Sequence, residues 1–216
     1  FMQHPVAASI QSKVTEAEWT DLTKFEGNAQ GFRILNKNQY GLKLTFATLG
    51  AFTKYPCPAF FPARDKSKRS QKKFGFFQSE KTIFNEVAQA LSLPKIGENV
   101  YERHPLAYLV EAADDICYSI IDLEDGCSLG LISYDDAKTL LENILTKNKS
   151  KLGKLDQLNS KAEKIGFLRA LAIGDLMDEC STLFLDSEKE IINGTFNQAL
   201  ADLCPSKQAL KDIIRI

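Results

Sequence analysis

The stretch His104–Gly126, HPLAYLVEAADDICYSIIDLEDG, governs how the rest of this chain can be arranged. Pro105 suits the first turn of a helix and Gly126 its exit, so the spacing predicts one long helix between them. At 100° per residue, Leu106, Leu109, Val110, Ala113, Ile116, Cys117, Ile120, Ile121 and Leu123 spread over about half the circumference, wider than the stripe of an ordinary surface helix. The helix is therefore expected to be central. On the opposite arc lie Glu111, Asp114, Tyr118, Asp122 and Asp125. Carboxylates at i and i+4 repel by about 0.2–0.5 kcal/mol per pair even when exposed, so this face must meet water or something cationic. Spacing alone leaves two readings. One is a solvated acidic face; the other is a site in which Asp114 holds a hard cation, Tyr118 offers a ring one turn later and Asp122 accepts a hydrogen bond two turns later.

Outward from this helix the chain keeps helical spacing. Val6 to Lys13 reads as helical, with Trp19 and Leu22 anchoring an N-terminal segment over residues 1–24. Gly27 and Asn28 form a turn, Asn28 being a candidate helix cap, and Ala29, Phe32, Ile34 and Leu35 then give one face. Leu42 to Thr53 is too long for a strand and ends before Pro56, so a helix is expected. Ser79 caps a helix to about Leu91, and Ser133 caps another to about Leu145. The polar run Lys147–Lys161 reads as a solvated linker or helix end. Ile165 to Phe184 is helical, Asp186 caps a helix to about Leu203, and Pro205-Ser206 opens a last one ending at Ile216. No alternating strand or hairpin pattern appears, so the fold class is all-α, taken as a single helical region over 1–216.

Tyr55–Gln78, YPCPAFFPARDKSKRSQKKFGFFQ, carries three prolines, six basic residues and one acidic residue, and reads as a long basic loop over 55–78. The residues themselves allow a solvated loop, or a patch for single-stranded DNA in which Phe60, Phe61, Phe74, Phe76 and Phe77 stack between the cations.

Composition bounds the rest. At 216 residues, 44% hydrophobic and 25% charged, the chain can bury a real core. A net charge of −1 argues against a generally basic nucleic-acid binder. The five cysteines, Cys57, Cys117, Cys127, Cys180 and Cys204, include no CxxC pair, which predicts a reduced, cytoplasmic protein. No apolar run approaches the length of a membrane span. Only His4 and His104 are present, too few for a three-histidine zinc centre or a helical HExxH pair.

Two strings, AADDICYSIIDLEDG and FEGNAQGFRIL, resemble the deoxyguanosine triphosphate triphosphohydrolases of the HD-domain superfamily, and the likeness extends over about residues 20–185. The resemblance implies part of an HD-domain-like helical bundle. It implies conversion of a deoxynucleoside triphosphate, dGTP in the type members, to deoxynucleoside and triphosphate. In that family a divalent metal, Mg or Mn, is held by a histidine, an adjacent His-Asp pair and a later aspartate, which here is Asp114 with Asp115 as competitor. The sugar falls to Tyr118 and Asp122, the phosphates to Lys54, Tyr55 and Lys73, and the pocket edge to Asn28, with Arg33 facing substrate or bracing the wall. The resemblance also implies a homo-oligomer for the intact protein.

The family's histidine and His-Asp ligands are absent from residues 1–24. Phe1 before Met2, together with that gap, leads to the expectation that the chain is a fragment of a longer protein or a truncated relative. It is expected to hold no transition metal tightly and to be inactive alone. The alternative reading is a non-catalytic helical module that binds nucleotides or nucleic acid.

Overall fold

The computed structural model describes residues 3–37 and 43–215. Their helices are α1 Pro5–Gln11, α2 Glu16–Thr23, α3 Gly27–Asn36, α4 Phe46–Phe52, α5 Lys81–Ala90, α6 Leu106–Ser128, α7 Tyr134–Ile144, α8 Lys161–Asp186, α9 Glu188–Ile192 and α10 Lys207–Ile214. The architecture is all-α and compatible with an HD-like bundle. It includes one short hairpin, β1 Lys95–Gly97 antiparallel to β2 Val100–Tyr101, which the sequence reading did not foresee. Three and two residues are too few to display alternation, and Asn99 takes the left-handed turn position at φ 55°.

Where the sequence reads as one helical region, the described residues group into two compact units. The first runs to Tyr108 and takes back Lys189–Asn197; the second comprises Leu109–Glu188 and the chain from Gln198 onward. In the first, α3, α4 and α5 enclose Phe32, Leu49, Phe76, Phe84, Val87 and Tyr101. Phe84 stacks on Phe76 at 4.5 Å and meets the edge of Phe32 at 5.5 Å. In the second, α7 packs along α8 and α10, burying Leu141 and Ile144 with Leu168, Ala172, Leu176, Leu210 and Ile213.

Several expected boundaries move, each for a local reason. The carboxylate of Glu26, not Asn28, caps α3 by accepting the Asn28 N–H. The helix expected from Ser79 starts at Lys81, after a 3-10 turn over Gln78–Glu80, because the Ser79 hydroxyl donates to Glu80. Ser133 does cap α7, accepting the Asp136 N–H. α6 runs through Gly126 to Ser128, and Gly130, at φ +73°, takes the left-handed exit while the Gly126 carbonyl accepts the N–H groups of Leu131 and Ile132. Asp186 ends α8 rather than capping a helix; Gly194 at φ +71° then turns the chain, and residues 198–206 form turns before α10. The proposed helix starts and ends at Leu42 and Ile216 lie outside the described residues. The run after α7 is a 3-10 stretch over Lys147–Gln157, tied to α8 by Asp175.

The basic loop is built around Arg64. Its guanidinium donates to the carbonyls of Pro58 at 2.6 Å, Ala59 at 3.1 Å and Gln71 at 3.2 Å, and to that of Lys73. Gly75 passes under the Tyr55 carbonyl so closely that a Cβ would lie 2.3 Å from it. Phe74, Phe76 and Phe77 are core residues, which corrects the stacking patch: three of its five rings face the interior. Among the described residues, no helix is long and apolar enough to cross a membrane. All five cysteines are free.

Candidate functional site

α6 is turned relative to the expected face. Ala107, Tyr108, Glu111, Ala112, Ile116, Ser119, Ile120 and Leu123 are buried, whereas Val110, Ala113, Cys117 and Ile121, expected inside, are exposed beside Asp114, Tyr118, Asp122 and Asp125. Hydrophobicity alone had placed Ala113 and Cys117 in the core and Glu111 outside it. The correction leaves a long helix with one open face on which acids and apolar groups alternate.

Tyr118, 66% exposed, and Asp122 line a cavity of about 560 Å³ within the second unit. Leu123, Ile132, Leu210 and Ile213 give it apolar walls, and Asp202, Lys207 and Lys211 bring charge from the far side. Lys211 lies 3.8 Å from Asp202. These three residues are missing from the sequence reading, although Lys207 and Lys211 show the i,i+4 spacing of one helix face. Asp115, the competitor for the metal role, lines the same cavity; Asp114 does not. Arg169 of α8 pairs with Glu124 of α6.

The other proposed residues lie in the first unit. Glu26, 8% exposed, joins two of them: Oε1 accepts the Asn28 amide at 2.6 Å, and Oε2 lies 3.7 Å from the Lys73 ammonium. Lys73 lines a cleft of about 340 Å³ with Lys24, Glu26, Arg64, Lys66 and Lys72. Lys54 and Tyr55 do not line that cleft. The Lys54 carbonyl accepts Arg103 Nε at 2.7 Å, and Tyr55, 6% exposed, has the Arg103 guanidinium 5.6 Å from its ring centre. Arg33 donates to Glu80 at 3.0 Å and Ser79 at 2.7 Å, and lies over the Phe77 ring at 4.4 Å.

The described donor set does not make a complete metal centre. Among the described residues, no three or more His, Cys, Asp or Glu side chains group to hold an ion. Asp114 stands exposed on α6 and belongs to no such group.

No protein-family model matches the chain. It is 43% identical over 213 residues to a deoxyguanosinetriphosphate triphosphohydrolase-like protein of Synechocystis, covering 93% of this chain and 47% of that protein. The chain is a relative of the deoxyguanosinetriphosphate triphosphohydrolase-like proteins. Other relatives support this: the Pseudomonas aeruginosa protein of that description is 37% identical over 205 residues, with 90% of this chain and 45% of its own length aligned. A deoxyguanosinetriphosphate triphosphohydrolase of Yersinia pestis is 30% identical over 198 residues, with 84% and 38% aligned. The chain thus spans less than half the length of these relatives.

Proposed function

We propose that this chain is the central part of a deoxynucleoside triphosphate triphosphohydrolase, a phosphoric ester hydrolase that converts dGTP and water to deoxyguanosine and triphosphate. The observation that carries it is the pair Tyr118 and Asp122, one turn apart and together on the wall of a cavity of about 560 Å³, a size usual for small-molecule sites. A sugar laid on this wall meets the Tyr118 ring at C2′ and the Asp122 carboxylate at the 3′-hydroxyl. From the resemblance, Lys54, Tyr55 and Lys73 of the first unit are assigned to the phosphates, where several cations are needed against a charge of about three to four, and Asn28 to the pocket edge. Asp114 offers one carboxylate to a divalent metal, Mg or Mn, whose other ligands lie outside this chain. On that reading the isolated chain does not hydrolyse dGTP.

The test uses the whole protein expressed from its complete gene. Asp122→Ala is expected to lower kcat/KM for dGTP at least about tenfold, the value of one lost hydrogen bond to a charged group, with triphosphate still the product. Undiminished turnover in the variant, or pyrophosphate as the wild-type product, overturns the reading.

A further inference from the structure

Two of the five free cysteines form a buried pair. Cys180, on α8, and Cys204, in the turns before α10, are 3% and 0% exposed, and their sulfurs lie 3.3 Å apart. A disulfide bond is about 2.05 Å long, so the sulfurs need approach by only about 1.3 Å to bond. Cys57 is buried without another cysteine beside it, Cys117 is exposed and Cys127 half-buried. The place of the pair gives it leverage. Ala201, Asp202, Lys207 and Lys211, on either side of Cys204, form the far wall of the cavity that Tyr118 and Asp122 face. That wall is fastened to α8 at one neighbouring point: Glu179 accepts the Ser206 N–H at 3.1 Å and lies 2.7 Å from its hydroxyl.

We propose that Cys180 and Cys204 are a redox pair whose disulfide, formed by hydrogen peroxide, locks the cavity wall carried by α10 onto α8. In the first step the Cys180 thiolate attacks peroxide; an S–O bond forms, the O–O bond breaks, and hydroxide leaves to take up a proton as water. The Cys204 sulfur then attacks the resulting sulfenic acid, the S–S bond forms, and a second water departs with the Cys204 proton. Two thiols are oxidised by two electrons and one peroxide is reduced to two waters. The contact with Cys204 lowers the Cys180 pKa, against burial and the Glu179 and Asp115 carboxylates, while the same contact and burial push Cys204 up. Cys180 is accordingly the attacking sulfur and Cys204 the resolving one. A small neutral oxidant suits a pair this enclosed. The inference does not depend on which ligand the cavity takes.

The experiment treats the 216-residue chain, and a Cys117→Ser/Cys127→Ser variant that keeps the buried pair, with hydrogen peroxide. Non-reducing peptide mapping should show Cys180 linked to Cys204 in both, reversed by dithiothreitol. Amide exchange over Lys207–Ile214 should slow at least fivefold on oxidation. Cys204→Ser should abolish both changes and leave Cys180 as a sulfenic acid that dimedone traps. If that variant does not fold, the comparison of oxidised with reduced wild type still decides. Cys180 and Cys204 persisting as thiols while Cys117 oxidises overturns the pair, and a linkage that leaves exchange over α10 unchanged overturns the lock.

Discussion

Asp175, fully enclosed on α8, holds Asn148 twice: Oδ1 accepts the Asn148 side-chain amide at 2.6 Å and Oδ2 its backbone N–H at 3.2 Å. Oδ2 also accepts the Thr146 N–H at 2.7 Å. A carboxylate with three donors turns what reads as a solvated linker into a segment fixed to the longest helix.

Asp175→Ala takes the acceptor away from all three donors and should destabilise the chain by about 3 kcal/mol in urea unfolding. Asp175→Asn, which keeps one acceptor oxygen, should lose less. A loss under about 1 kcal/mol for the alanine variant would mean that water reaches the freed groups.

Arg64 organises the basic loop through four carbonyls, a task for a planar fork of donors. Arg64→Lys should therefore fail to rescue it. Both Arg64→Lys and Arg64→Ala are expected to cost about 2–3 kcal/mol and to hasten amide exchange between Cys57 and Lys73. Wild-type exchange in the lysine variant would show that charge alone suffices.

His104 makes the start of α6 sensitive to pH. Its neutral Nδ1 accepts the Leu106 N–H at 3.2 Å, and burial lowers its pKa. A histidine with a lowered folded pKa binds fewer protons folded than unfolded below its ordinary value near 6.5. Stability should therefore be full above that pH, decline as pH falls through it, and level off below the folded pKa. His104→Asn, which can cap without titrating there, should flatten this part of the stability profile; an unchanged slope assigns it to another group.

Tyr118 is exposed, so Tyr118→Ala should change stability by less than about 0.5 kcal/mol. If its ring excludes a 2′-hydroxyl, the same change in the whole protein should raise ribonucleotide turnover relative to deoxyribonucleotide turnover. Equal reduction of both would reduce the ring to scaffolding.

The sequence revealed α6, α7 and α10 because Pro105, Ser133 and Ser206 stand beside regular apolar spacing. The strings around Asn28 and Asp114 revealed the relationship. Illegible were features decided by a partner distant in sequence. Nothing local marks Asp175 as an anchor for Asn148, or Glu111 as buried while Ala113 is exposed. The role of Arg64 depends on four carbonyls converging as the loop folds. Lys207 and Lys211 became site candidates only when α10 was seen beside Tyr118 and Asp122.

The return of Lys189–Asn197 to the first unit has a kinetic consequence. Asn197 accepts the Arg69 N–H at 2.7 Å and donates to the Ser67 carbonyl at 3.1 Å, while the Phe196 carbonyl accepts the Tyr108 hydroxyl at 2.8 Å. The first two contacts join residues separated by 128 and 130 positions. On a ribosome adding about 5–20 residues per second, the first unit must wait several seconds for its last segment, with Ser67 and Arg69 unsealed. Contacts of such long range come late in folding, so the edge carrying Lys68 and Ser70 stays open to chaperones and proteases until Asn197 arrives.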